Sequence, residues 1–185
     1  AADACDHRHR AIDGFEHGYY LTPPILTRMK KEGVWFVPTI VVTQPGALEF
    51  YKKIGSPDWY LERVETAGKT HFRTLQDAIK IGTPIALGSD QYPWEPNSGT
   101  TATIREAELY VSAGMTPLQA LRAATIECAR MLGVEDEVGV LKAGYFADIL
   151  ALDADPTRDI AALRTISFVM KGGKEIAGVS AVTAP

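Results

Sequence analysis

Cysteine is scarce in this chain of 185 residues, with only Cys5 and Cys128 present. Two thiols so far apart make neither a disulfide framework nor the paired spacing of a structural metal site. Both read as reduced, Cys128 on an apolar helix face. Long apolar runs are also missing. The longest, residues 34–42, is interrupted by Pro38 and is too short to cross a bilayer, so no membrane partner is expected. Basic charge is not in excess. The formal net charge is −4, which argues against a broad phosphate-binding surface and against nucleic acid as a partner. Neither G-x-G-x-x-G nor G-x-x-x-x-G-K-[ST] follows a strand candidate, so a nucleotide-binding domain has little support. No secretory leader is visible, and a cytoplasmic location is the expectation.

What is present suits an ordinary globular chain: 46% hydrophobic and 23% charged residues, enough for one domain with a real core. Strand and helix signals alternate. "AIDGFEH" is a short strand candidate. "LTPPILTRMKKEG" predicts a helix with Thr22 as N-cap, Pro23 in the first turn, Lys30 and Lys31 near the end, and Gly33 as its stop. "VWFVPTIVV" reads as a strand buried on both faces, as parallel strands are. Asp58 is placed to cap a long helix ending at Gly82, and "PIALGSD" reads as the next buried strand. "TPLQALRAATIECARMLG" predicts one helix with Thr116 and Gln119 as a capping box and an apolar stripe of Leu121, Ala124, Cys128 and Leu132. From Gly139 the texture turns β-rich, with turn signals at Ala143–Gly144 and Gly172–Gly173. The predicted class is α/β, with parallel strands in βαβ units and a small β element after them.

In parallel α/β folds, functional residues collect at the C-terminal ends of strands. His17 in "IDGFEHG" ends one strand candidate and Asp90 in "ALGSD" ends another, so both are placed to face one rim. Imidazole nitrogen and carboxylate oxygen are good zinc ligands, and a carboxylate beside an activated water can accept its proton. Strand-end histidines and aspartates also commonly cap loops, and two ligands do not make a catalytic zinc site.

Four stretches change the balance: "GFEHGYYLTPPILTRMKKEGVWFVPTIVV", "HFRTLQDAIKIGTPIALGSD", "EAELYVSAGMTPLQALRAATIECARMLGV" and "GVLKAGYFADILALDADP" with "FVMKGGKEI". In this order they resemble the C-terminal part of the metal-dependent amidohydrolase superfamily, near imidazolonepropionase and the Xaa-Pro dipeptidase-like members. The resemblance implies the C-terminal portion of a (β/α)8 TIM barrel, strands six to eight, in residues 1–138, and part of a small β-sandwich in residues 139–185. It implies His17 as the metal ligand after strand six, and Asp90 as the metal-binding, proton-shuttling aspartate after strand eight. The metal would be divalent, zinc above all, and the reaction hydrolysis of a C–N bond in a small amide or peptide-like substrate. Tyr19 and Tyr92 would line the substrate mouth, or else pack loops. The superfamily's HxH pair, carboxylated lysine and strand-five histidine would fall upstream of Ala1. His7-Arg8-His9 is an HxH in a polar, arginine-flanked stretch and reads as a solvated face. His71 reads as a surface or helix-packing residue. The chain alone is expected to have little activity unless a second copy, in a homo-oligomer, or an N-terminal polypeptide completes the site. An exposed strand-six edge would be an aggregation liability. The alternative is a non-catalytic half-barrel serving as a binding or scaffold module.

Overall fold

The computed structural model describes residues 12–90 and 99–176, the side chains of residues 99–101 excepted. Cys5, His7, His9 and Tyr92 lie outside the described residues. The first strand, β1 (Gly14–Glu16), runs into helix α1 (Pro23–Glu32) and returns as β2 (Trp35–Val37). β1 and β2 are parallel, with Phe15 opposite Phe36. Thr22 takes the N-cap position of α1 without a side-chain cap, Pro23 follows it, and Gly33 closes the helix in the left-handed region at φ 67°. That conformation suits a residue without Cβ, and it turns the Gly33 N–H back onto the last carbonyls.

The expected strand through residues 34–42 is shorter than its composition suggests. It stops at Val37 because Pro38 has no N–H to give a ladder and Thr39 is left-handed at φ 54°. The apolar residues after it wind into a 3-10 turn, Ile40–Thr43, all four buried. Helix α2 (Pro45–Lys53) occupies what reads as a polar loop, and α3 (Asp58–Ile81) follows. Pro57, not Asp58, holds the N-cap position of α3; Asp58 is its first residue. Val64, Ala67, His71, Thr74, Leu75 and Ala78 form the buried face of α3, at the three- and four-residue spacing of a helix on a core. Gly82 ends it at φ 79°.

The next run pairs in parallel with β2 through one bridge, Phe36 to Ile85. The Phe36 N–H donates to Pro84 O at 2.9 Å and the Ala86 N–H to Phe36 O at 3.1 Å. Helices α4 (Gly99–Ser112), α5 (Pro117–Ala123) and α6 (Ile126–Leu132) follow. The Thr116–Gln119 capping box forms with both bonds in place. The single helix expected over this stretch divides after Ala123. The Ala123 carbonyl receives the Leu87 N–H at 3.0 Å and the Cys128 thiol at 3.0 Å, which takes it out of the helical ladder. The break re-aims the buried side, which is carried by Ala120, Ala123 and Ala129, while Leu132 is 68% exposed.

An antiparallel sheet closes the described chain: β3 (Ile149–Leu152), β4 (Ile166–Lys171) and β5 (Lys174–Glu175). Gly172 and Gly173, at φ 57° and 78°, make the β4–β5 turn. The sheet is tied to the helices by a 3-10 turn, Ile160–Arg164, in which Ile160 joins the main core and Arg164 grips Glu108 at 2.6 and 3.0 Å. Leu26, Phe36, Ile40, Leu75 and Tyr110 sit at the centre of that core, fully buried. Among the described residues, no helix is long and apolar enough to cross a membrane.

Candidate functional site

Among the described residues, the non-glycine residues with positive φ are His17 (62°), Thr39 (54°) and Asp90 (48°). Each follows the C-terminal end of one of the parallel runs. Left-handed backbone costs a residue with a Cβ about 1–3 kcal/mol, and it is a genuine outlier for a β-branched one. Such strain gathers where a fold must aim side chains. His17 is aimed by the last rung of the sheet, its N–H donating to Val37 O at 2.9 Å. Gly18 must be glycine. At φ 59°, a Cβ there would lie 2.6 Å from Phe36 Cε2 and 2.7 Å from Leu21 Cδ1.

His17 Nε2 stands 3.9 Å from Asp90 Oδ2. The other ring nitrogen, Nδ1, is 2.7 Å from Thr39 Oγ1. That hydroxyl has one proton, and it donates it to Pro38 O at 2.6 Å. With that proton on Pro38 O, Thr39 accepts from His17, an arrangement that corresponds to the Nδ1–H tautomer with the Nε2 lone pair facing a carboxylate. Two acceptors face to face suit a cation between them, and the distance falls within the roughly 4.1 Å that two zinc bonds of about 2.0–2.1 Å can span. A partner on the far nitrogen is also what orients a ligating histidine. The donor set fits a divalent metal but does not complete its shell. Among the described residues, no group of three or more His, Cys, Asp or Glu is placed to hold an ion.

Behind this pair lies a buried polar layer. His71, on α3, is fully buried, so it is a packing residue rather than a surface one. It packs by hydrogen bonds: Nε2 donates to Pro38 O at 2.5 Å and Nδ1 meets Thr43 Oγ1 at 3.1 Å. Burial lowers its pKa to about 4, so the ring is neutral at physiological pH. Tyr19 joins the two histidines. Its ring stacks on His17 at 5.6 Å and meets His71 edge-on at 4.5 Å. Burial raises the Tyr19 phenol, with smaller contributions from Tyr60, Asp90 and Tyr20. Tyr51 of α2 meets Tyr60 edge-on at 5.3 Å and is raised by burial and by Tyr60. These helices thus bring an aromatic wall to the side of the site. On α4, the fully buried Glu106 accepts the N–H groups of Ile40 and Val41, each at 2.7 Å.

The two strand-end residues that the sequence singles out are therefore brought together, and Tyr19 with them. Thr39, Tyr51, Tyr60 and Glu106 were not singled out. Glu106 does leave a trace, since it stands on the same α4 stripe as Ala102, Leu109, Tyr110 and Ala113, where an apolar residue belongs.

Parallel strands with polar residues gathered beyond their carboxyl ends define a mixed α/β protein, a class that several comparisons narrow. The chain belongs to the Amidohydrolase family, which it matches over residues 3–176. It is 32% identical to ochratoxinase of Aspergillus niger over 168 residues, covering 88% of this chain and 33% of that one. It is 30% identical to imidazolonepropionase of Acinetobacter baumannii over 158 residues, 83% of this chain and 32% of that one. A crystal structure of a Xaa-Pro dipeptidase superposes on 90% of this chain and 40% of its own with a TM-score of 0.78 at 28% identity. The chain thus spans about a third of the length of the curated relatives it matches.

Proposed function

We propose that the protein hydrolyses a C–N bond, amide or peptide-like, in a small substrate, with His17 and Asp90 holding a divalent metal, zinc fitting an imidazole–carboxylate pair best. The observation that carries this reading is the opposition of His17 Nε2 and Asp90 Oδ2 at 3.9 Å, with Nδ1 2.7 Å from the Thr39 hydroxyl on the other side. The family and its named relatives support the bond class. On this reading residues 1–138 are strands six to eight of a (β/α)8 barrel and residues 139–185 are part of a small β-sandwich.

The chemistry a divalent cation supplies there is activation of water as a nucleophile near neutral pH. Asp90 takes the proton that the water gives up and returns it to the leaving nitrogen, so hydrolysis yields an acid and an amine with no net proton change at the enzyme. Thr39 keeps His17 in the tautomer whose Nε2 is a donor atom. Tyr19, stacked on His17, forms the wall against which the substrate lies. A catalytic zinc takes three protein ligands and a water, so His17 and Asp90 would be two members of a larger ligand set.

Metal content per chain, measured for the purified protein beside His17→Ala and Asp90→Ala, tests the reading. Near-stoichiometric metal lost in both variants supports it. Supplying the N-terminal portion of a relative in trans should then raise metal-dependent amide hydrolysis. Folded, metal-free protein in which neither substitution changes anything would instead favour a non-catalytic scaffold.

A further inference from the structure

Thr39 poses a physical problem that the metal reading leaves open. A β-branched residue sits left-handed at φ 54°, with no glycine or asparagine chemistry to ease it. Such a conformation persists only where the surroundings over-determine it. Thr39 is also the N-cap of the 3-10 turn Ile40–Thr43, a position where threonine ordinarily satisfies the first free N–H groups with its own hydroxyl. Here the hydroxyl makes no cap bond. Its oxygen lies 2.6 Å from Pro38 O, to which it donates, and 2.7 Å from His17 Nδ1.

The missing cap comes from elsewhere in the chain. The Ile40 and Val41 N–H groups donate to Oε1 and Oε2 of Glu106, each at 2.7 Å, across 66 and 65 residues of sequence. Each carboxylate oxygen takes one N–H, so the link is bidentate and fixes the orientation of the turn as well as its position. On the other side of Thr39, the Pro38 carbonyl is pinned by His71 Nε2 at 2.5 Å. Thr39 is clamped between two buried groups. A fully buried carboxylate is an expensive way to cap a turn when a local side chain would do. It becomes intelligible if the local hydroxyl is reserved for the histidine.

We propose that Glu106 is a positioning residue of the strand-end site: by capping the 3-10 turn in place of Thr39, it holds Thr39 left-handed with its hydroxyl on His17 Nδ1, and so keeps His17 Nε2 free to act. The proposal rests on the reading that His17 works through Nε2. It assigns Glu106 no contact with substrate or metal.

The test reads the tautomer of His17 directly. Long-range proton–nitrogen NMR spectra of the neutral ring, in the metal-free 185-residue chain, distinguish Nδ1–H from Nε2–H. Thr39→Val removes the acceptor and sets the scale of the loss. Glu106→Gln keeps the shape but places an NH2 against one of two N–H donors, and it should lower the Nδ1–H population at least twofold, toward the Thr39→Val value. Leu75→Ala, a cavity at a fully buried site on α3, should destabilise the fold while leaving the His17 tautomer at its wild-type value. A folded Glu106→Gln with an unchanged His17 tautomer overturns the proposal, as does an equal shift in Leu75→Ala. Should Glu106→Gln fail to fold, Glu106→Asp is read by the same criterion. A zinc titration of the same proteins separates this proposal from the metal reading. Binding weakened about 10- to 100-fold in Glu106→Gln, as expected when an outer partner is lost, supports both. A tautomer shift in chains that bind no zinc keeps the positioning role and removes the metal. Zinc bound equally by both, with an unmoved tautomer, does the reverse.

Discussion

Replacing Glu106 with Gln should change how stability depends on pH, in a direction that can be worked out beforehand. Burial pushes the Glu106 carboxyl from its ordinary 4.5 up to about 7, against the pull of the Val41 and Ile40 N–H groups. Between those values the folded chain holds a proton that the unfolded chain has released. Stability therefore falls as pH rises through the window and levels off above it. The shift spans roughly 2.5 pH units at about 1.4 kcal/mol each, on the order of 3 kcal/mol. Glutamine does not titrate, so the wild-type stability minus that of Glu106→Gln should drop by this amount between pH 4.5 and 7. Taking the difference cancels every other ionisable group. Urea unfolding followed by circular dichroism at a series of pH values gives both curves. His71 acts in the opposite sense. Its pKa lies at about 4 instead of 6.5, so the stability it contributes is full above 6.5 and is lost as pH falls toward 4. The two windows overlap, and in the wild type their slopes offset one another between about pH 4.5 and 6.5. Glu106→Gln should uncover the rise due to His71. A wild-type-minus-variant difference that is flat or climbs with pH would show that the two 2.7 Å bonds outweigh desolvation and that the carboxylate is ionised throughout, refuting the reasoning.

The complementary substitution, His71→Gln, should lose the rise between pH 4 and 6.5 and show stability falling with pH in the same assay; a curve parallel to the wild type would contradict the assignment. Gly68→Ala lies inside α3, where alanine ordinarily adds about 1 kcal/mol. Here the new Cβ would stand 2.8 Å from the Thr43 carbonyl, so thermal unfolding should show a net loss of about 1–3 kcal/mol, and a raised Tm would count against the close approach. Thr116→Ala removes a formed capping box and should cost about 1 kcal/mol in denaturant unfolding, with Thr116→Ser near wild type. Metal content should vanish in both His17→Ala and Asp90→Ala if the pair holds an ion.

Local chemistry made the punctuation of this fold readable. Gly33 and Gly82 end their helices left-handed, and Thr116 with Gln119 opens α5, because each depends on neighbours within four residues. The meeting of His17 and Asp90 was also legible, since parallel runs bring their carboxyl ends together. The end of β2 was only half marked: Pro38 was visible, but nothing in "VWFVPTIVV" announces that Thr39 turns left-handed. The break between α5 and α6 depends on Leu87 donating to Ala123, a tertiary bond with no local signature. Glu106 illustrates the same limit. Its carboxylate meets donors 65 and 66 residues away, and composition shows only a charge out of place on an apolar stripe.

The crowding at Gly18 has a further consequence for how this chain can change. A hydrogen atom is all that fits between the backbone that aims His17 and the ring of Phe36 at the centre of the core. Positions 18, 21 and 36 therefore form one mutational unit. A side chain at 18 needs room at both 36 and 21, and a smaller residue at 36 loosens the packing beneath the backbone that aims the imidazole. Substitutions that repack the core of this protein will reach its histidine without passing through the surface, so stability and reactivity should drift together along lineages that alter either residue.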